Sequence, residues 1–416
     1  MKILLLSTYD ILGGAARAAY RLHKGLQMIN VDSRMLVQLK FSYDPTVIGP
    51  VKEIQKELSR VRPILDDLLL KKIYHYDIKN KFSVNRLPEN ILSKVSEQNP
   101  DVVNIHWVSD GYLKIETISK FRKPVVLTLH DMWAFTGGCH YSMDCDRYKN
   151  SCGKCPQLGS NKDLDLSYRV WQRKAKSWKN KNLTIISPSQ WLANCARESS
   201  LFRNSPIEVI PNGLDTDVYK PINRQFARER LNFPRNKKII LFGAQDPNEP
   251  RKGFNLLKET LQHLKAIANG EDIALAILGS SQPSCPPDLG FSTYYLGKLS
   301  DDISLSLVYG AADVFIAPSV QDNLPNTVME ALACGTPCVA FNIGGMPELI
   351  EHKKNGYLSP PFDVKDLAQG IYWLLSDLEI WHKLCERARE KVTTEFTLEK
   401  QAKSYVKIFQ QIANIR

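Results

Sequence analysis

The segment at 314–350, VFIAPSVQDNLPNTVMEALACGTPCVAFNIGGMPELI, constrains the fold of this chain more than any other. It opens with an apolar run, VFIA, closed by Pro318 and Ser319, the pattern of a buried strand and the loop that leaves its carboxyl end. Asn326 and Thr327 then start an apolar-rich helix, and Pro325 keeps the residue before it out of helical geometry. Gly335-Thr336-Pro337 ends that helix, CVAF reads as a second strand, and Gly344-Gly345 with Pro347 forms another turn. Strand, loop, helix, strand and glycine loop make half of an open parallel sheet, which binds ligands outside the carboxyl ends of its strands. Asp322 on the loop and Glu330 on the helix straddle the helix start, whose first amides lack intrahelical partners and suit an anion. Acids for sugar hydroxyls beside amides for phosphate are what a nucleotide-sugar pocket needs. The plainer alternative is a solvated loop acid and a helix-surface acid.

The same alternation runs through the rest of the chain. KILLLS at 2–7 is a strand, followed by Gly13-Gly14 and the helical run AARAAYRLHKGLQ. At such a junction backbone amides can approach a phosphate or an acceptor hydroxyl closely. Residues 33–40, 101–108, 124–129 and 183–187 read as further strands, the last leading to a helix entered through Ser187 or Ser189. Residues 42–92 are charged and irregular with helical stretches, and carry no assignable chemistry. His106 lies inside one strand and reads as a hydrogen-bonded core histidine. His130-Asp131 stands at the exit of the next strand, at the ligand-binding edge. In the second half, KKIILFGAQ is a strand ending in Gly243, and the proline-bearing loop after it carries Arg251 and Lys252-Gly253 just before a helix. That places cations where a diphosphate would sit. Residues 274–280 and 293–300 are further strands, and 396–413 is a final amphipathic helix.

Four of nine cysteines, Cys139, Cys145, Cys152 and Cys155, fall within one polar stretch, TGGCHYSMDCDRYKNSCGKCPQL. The Cys-x2-Cys pair is the knuckle that lets two thiolates meet one tetrahedral zinc. Structural zinc is the expectation for these four, with reduced thiols and disulfides as the competing readings. The net charge of +11 is compatible with nucleic acid, an anionic membrane face or phosphorylated substrates. No block of five basic residues occurs, so nucleic acid is not an expected partner. The densest cluster, RKAKSWKNKN at 173–182, reads as a solvated basic helix face, with contact to anionic lipid at the inner membrane as the alternative. No run of 18 apolar residues exists, and ILLL near the start is too short for a signal peptide, so the chain is expected to be cytoplasmic.

ALACGTPCVAF after Glu330, the acid eight residues before it, and GGMPELI resemble the donor-site signature of the retaining glycosyltransferases of family 4. TLHD, ending in His130-Asp131, PNGLD at 211–215 and Lys252 are similar to further family motifs, so the resemblance spans most of the chain. The Cys-rich insertion at 136–158 looks like that of a subgroup assembling bacterial polysaccharides. Two departures stand out: the family's first glutamate is Asp322, and its Gly-Arg after the strand is Gly243-Ala244, which leaves Arg251 to supply the missing cation. The resemblance implies an α/β GT-B fold, two Rossmann-like parallel-sheet domains facing across a cleft. Their expected bounds are 1–215 for the acceptor side and 216–395 for the donor side, with 396–416 packing back on the first.

The implied reaction moves a sugar from a UDP- or GDP-sugar donor to a hydroxyl of a saccharide or lipid-linked acceptor, with retention and without a catalytic metal. His130 would orient reacting hydroxyls, Lys252 and Arg251 would hold the diphosphate, Glu330 the ribose and Asp322 the sugar. Gly13, Gly14, Gly243, Leu299, Asn326 and Thr327 complete the expected donor contacts. A sugar-nucleotide epimerase of the same fold, a non-catalytic binding protein and a zinc-bearing nucleic-acid protein are the competing readings.

Overall fold

The computed structural model describes residues 1–74, 80–244, 249–268 and 270–414. Residues 245–248, part of the proline-bearing loop expected after Gly243, lie outside the described residues. The chain divides into two compact units, Met1–Gly213 with Leu398–Arg416, and Leu214–Thr397.

In the first unit, β1 (Lys2–Tyr9), β2 (Asp32–Leu39), β3 (Val47–Ile48), β4 (Val102–Ile105), β5 (Val125–Thr128), β6 (Leu183–Ser187) and β7 (Ile207–Val209) form one sheet. Its order is β3-β2-β1-β4-β5-β6-β7, with every neighbouring pair parallel. The second unit holds β8 (Lys238–Gly243), β9 (Ile273–Leu278), β10 (Ser292–Tyr295), β11 (Val314–Ala317), β12 (Cys338–Phe341) and β13 (Gly356–Ser359). Their order is β10-β9-β8-β11-β12-β13, again all parallel. Every residue of β4, β5, β9, β11 and β12 is buried. Such continuous apolar runs suit parallel strands that helices cover on both faces. In each sheet the strand order reverses once, between β1 and β4 and between β8 and β11. These reversals open the crevices where doubly wound sheets bind ligands.

Local sequence explains the element ends. Ser189, not Ser187, caps its helix by accepting from the Leu192 amide at 3.1 Å, while Ser187 Oγ donates to the Ser189 carbonyl. The terminal helix Leu398–Asn414 buries Ala402, Tyr405 and Phe409 in the first unit, with Ala19, Leu22 and Leu26 of the helix Gly14–Met28.

Two stretches refine the sequence reading, the first by placing one of its expected helical stretches and the second by correcting it. The irregular region at 42–92 contains a 22-residue helix, Glu53–Tyr74. Its apolar residues Ile54, Leu58, Val61, Leu65 and Leu68 do recur at helical spacing, but they face solvent, while Asp66 and Leu70 turn inward. The basic cluster at 173–182 is not a continuous solvated face. Lys174 is fully buried, with its ammonium donating to the Trp133 and Thr136 carbonyls, and Arg173 pairs with Glu116 at 2.7 Å. Trp178 is buried as well, its indole bonded to the Ile115 carbonyl. Lys176, Lys179, Asn180 and Asn182 are exposed, so only part of the cluster is the solvated face expected.

Candidate active site

Three loops interlock at the carboxyl ends of β8, β11 and β12 in the second unit. The first makes a short turn, Pro250–Lys252, before the helix Phe254–Ile267. Gly253 has φ +73°, and a Cβ there would sit 1.8 Å from the Pro318 carbonyl oxygen. Gly344 has φ +53°, and its Cβ would meet the Asp322 carbonyl oxygen at 1.9 Å. Only glycine fits either place. Backbone bonds from Val320 to Arg251 (2.8 Å) and from Gly345 to Asp322 (3.2 Å) complete the lock.

That lock gathers two cations on one buried acid. Lys252 Nζ lies 2.7 Å from Asp322 Oδ2, and Arg251 Nη1 lies 3.1 Å from Oδ1. The Asn323 amide also donates to Oδ1 and Ser319 Oγ to Oδ2. Burial alone would raise the Asp322 carboxyl, but Lys252 and then Arg251 outweigh it and bring the pKa down to about 2. Four donors thus occupy the roughly four acceptor positions of a carboxylate. In this arrangement Asp322, the acid expected to receive the sugar's hydroxyls, also anchors two cations. Arg251 and Lys252 share that carboxylate although no arginine follows Gly243.

Glu330 makes a separate contact. It is buried on the helix Asn326–Ala333 and accepts from the Tyr309 hydroxyl at 2.9 Å. Burial first, and the Glu330 charge second, push the Tyr309 phenol far up, so it stays a donor. Tyr309 was missed from sequence because an aromatic within SLVYGA reads as ordinary core. Asn326 and Thr327 open the Glu330 helix directly after Pro325, and Gly243 ends β8. Leu299, in the stretch after β10, packs partly buried on the core of the second unit.

The remaining expected residues belong to the first unit. Gly13, at φ +95°, turns the chain from β1 into the helix that Gly14 begins. His130 leaves the end of β5 half-buried, and burial lowers its pKa to about 4, so the ring is neutral at pH 7. Its Nε2 is 2.9 Å from Nδ1 of His106, whose Nε2 meets Asn104 Nδ2 at 3.0 Å. His106 is therefore the buried, hydrogen-bonded histidine the sequence suggested, and it also touches His130. Asp131 does different work. It accepts from the Trp107 indole (2.9 Å) and the Trp133 amide (2.8 Å), and it meets His140 Nδ1 at 2.7 Å. His140 in turn meets Ser83 Oγ at 2.9 Å, which ties the Cys-rich stretch to the end of β5.

All nine cysteines are free thiols. Cys145, Cys152 and Cys155 all lie within electrostatic reach of Cys139. The amides of Leu158 and Gln157 point at the Cys155 sulfur, and the Gly137 amide points at Cys152. Among the described residues, no three His, Cys, Asp or Glu side chains are arranged to hold a metal ion.

Two parallel sheets, each with its loops at a switch point, and a paired-cation cluster on the loops ahead of the helix that carries Glu330 define a glycosyltransferase of the GT-B type. The chain belongs to glycosyltransferase family 4. The model described as Glycosyltransferase Family 4 matches residues 12–218, and that described as Glycosyl transferases group 1 matches 236–377. The chain is similar to N-acetyl-alpha-D-glucosaminyl L-malate synthase of Bacillus anthracis, with 26% identity over 82% of this chain and 84% of that one. It is also similar to the putative colanic acid biosynthesis glycosyl transferase WcaC of Escherichia coli, at 25% identity over 65% and 66%. Among solved structures, sucrose-phosphate synthase from Thermosynechococcus elongatus superposes with a TM-score of 0.70 at 19% identity, covering 100% of both chains. Anabaena HepE, solved in complex with UDP-glucose, gives 0.66 at 18% identity over 99% and 100%.

Proposed function

We propose that this glycosyltransferase moves a sugar with retention from a UDP- or GDP-linked donor to a hydroxyl of a lipid-linked saccharide in cell-surface polysaccharide assembly. The observation that carries the reading is the Arg251–Asp322–Lys252 cluster at the switch point of the second sheet. The bond from the anomeric carbon to the diphosphate breaks, the acceptor oxygen bonds to that carbon on the same face, and the acceptor's proton passes to the leaving phosphate oxygen. Arg251 and Lys252 stabilise the charge that develops on the diphosphate. Tyr309 holds Glu330 for the ribose hydroxyls, and His130 orients the reacting hydroxyls. No step of this scheme calls for a metal ion. The UDP-glucose complex of HepE supports the donor class, and the colanic acid role in WcaC's name supports the polysaccharide setting.

The membrane part of the reading rests on the helix Glu53–Tyr74. Ile54 is 76% and Leu58 61% exposed, Lys52 and Lys56 lie beside them, and the whole chain is basic. An apolar stripe on a basic protein suits the surface of an anionic bilayer. No described helix is long and apolar enough to cross a membrane. A further part of the proposal is that the four clustered cysteines take up a structural zinc. Amides aimed at two of the sulfurs support that part. Elemental analysis of the purified chain should find one zinc per molecule, lost in Cys152→Ser, and a metal-free folded chain would sink it.

A thermal-shift screen against UDP-, GDP- and ADP-sugars tests the main reading. One donor should stabilise the protein selectively, and Lys252→Ala and Glu330→Ala should each abolish the shift. The anomeric configuration of the product, read by NMR, then tests retention. Stabilisation by no donor would bring the non-catalytic reading forward.

A further inference from the structure

A line of side chains runs behind His130 through the first unit. Tyr405 of the terminal helix lies with its hydroxyl 3.2 Å from Thr128 Oγ1, which donates to Asn104 Oδ1 at 3.0 Å. Asn104 Nδ2 meets His106 Nε2 at 3.0 Å, and His106 Nδ1 meets His130 Nε2 at 2.9 Å. Asn104, Thr128, His106 and Tyr405 are all at least 95% buried, so no bulk water competes for these bonds.

Donor direction along the line follows from the orientation of the Asn104 amide, whose Oδ1 faces Thr128 and whose Nδ2 faces His106. Thr128 spends its one proton on Asn104, so Tyr405 must donate to Thr128. An amide nitrogen only donates, so His106 Nε2 accepts and the proton of the neutral His106 ring sits on Nδ1. That proton points at His130 Nε2, which must therefore accept. His130 is left with its proton on Nδ1. The rings of His106 and His130 also pack against each other, with centroids 5.2 Å apart and planes inclined by 30°.

We infer that Asn104 and His106, anchored by Tyr405 through Thr128, are positioning residues that hold His130 as an Nδ1–H hydrogen-bond donor and keep it from acting as a base. The lone pair that a base would use is already engaged by His106. Such a histidine polarises a sugar or acceptor hydroxyl and leaves the proton transfer to the departing phosphate. The terminal helix thereby contributes to the site through one hydroxyl group. This inference rests on the reading of His130 as an active-site residue.

The test is long-range ¹H–¹⁵N correlation NMR of the full chain with labelled histidines at pH 7.5, paired with donor-turnover kinetics. In the wild type, His130 should carry its proton on Nδ1. His106→Asn keeps a donor near the same point and should preserve that tautomer and most of the rate. His106→Asp offers only an acceptor, should move the His130 proton to Nε2, and should lower kcat at least tenfold with little change in KM. Tyr405→Phe is the milder variant and should lower kcat severalfold while the protein stays folded. A wild-type His130 protonated on Nε2 would overturn the inference, as would an unchanged kcat in a His106→Asp variant whose tautomer has switched. If His130→Ala turns over donor at the wild-type rate while the wild-type tautomer is as stated, the active-site role of His130 fails and the relay stands.

Discussion

Asp322 decides how the pocket handles charge. With both cations held on one carboxylate, the two substitutions one would make first should act in opposite ways on binding. Lys252→Ala removes a cation proposed for the diphosphate, so UDP should bind more weakly and kcat should fall by about 100-fold, the scale of losing one preorganised donor. Asp322→Asn releases Lys252, while Arg251 stays tied to Glu249 and the Gln321 carbonyl, so UDP affinity measured by calorimetry should hold or rise while kcat falls, because Lys252 loses its fixed position. Weaker UDP binding in Asp322→Asn would mean the carboxylate contacts the donor directly. The pairing also has a pH signature. Asp322 titrates at about 2 in the folded chain against 3.8 as an ordinary carboxyl. Its contribution, about 2 kcal/mol, is therefore present above pH 4 and lost as pH falls from 4 toward 2. Urea denaturation of wild type and Asp322→Asn should differ less at pH 2 than at pH 5.

At the scale of elements, the sequence made the second unit legible because each of its loops carries its own punctuation. Pro325 stands just before its helix, Gly335 just after that helix ends and Gly344 in the turn after β12, as the pattern said, and Lys252 fell at the junction before its helix. The sequence could not show that Gly253 and Gly344 are there to admit carbonyls of a neighbouring loop, since that approach exists only after folding. Nor could it show Tyr309 against Glu330, or His106 against His130, because each pair joins different elements. Residues 42–92 were legible as containing helical stretches, of which Glu53–Tyr74 is one, but not the direction its apolar stripe faces. Periodicity reports a helix, but a helix whose apolar stripe faces outward offers no core to confirm it. The loop lock yields its own prediction. Gly344→Ala should lower the melting temperature by several degrees, since an alanine Cβ would overlap the Asp322 carbonyl and the backbone would be strained at positive φ. It should also weaken UDP binding in the same preparation, through displacement of Asp322. A Gly344→Ala protein with wild-type melting and UDP affinity would show that the three loops are not mechanically joined. The exposed stripe is tested by co-sedimentation with phosphatidylglycerol vesicles, where Leu58→Glu with Leu65→Glu should abolish binding and leave donor turnover in solution unchanged.

On the scale of the whole molecule, the buried ionisable groups of the two units lose their stabilising contributions in different ranges of acid pH. The first unit buries neutral histidines. His23 is fully buried between Ser33 and Thr46, and burial lowers its pKa to about 4, while burial and the His130 ring push His106 well below the usual histidine range. A base whose folded pKa is depressed leaves the unfolded chain binding the extra proton first. Stability is therefore complete above the unfolded value of 6.5 and declines as pH falls toward 4, by about 3 kcal/mol for His23 alone. In the second unit the acid-sensitive group is Asp322, which holds until pH falls below 4. The first unit should accordingly unfold first as the solution is acidified. Tryptophan reports the order directly, because Trp107, Trp133, Trp171, Trp178 and Trp191 lie in the first unit while Trp373 and Trp381 lie in the second. Between pH 6 and 4 the fluorescence change should come from the first group, and the chain with Trp373→Phe and Trp381→Phe should reproduce it almost in full. His23→Asn should shift that transition to lower pH, because asparagine has no proton to take up on unfolding. A single transition near pH 3 in both proteins would mean that the buried histidines do not set the acid limit of the fold.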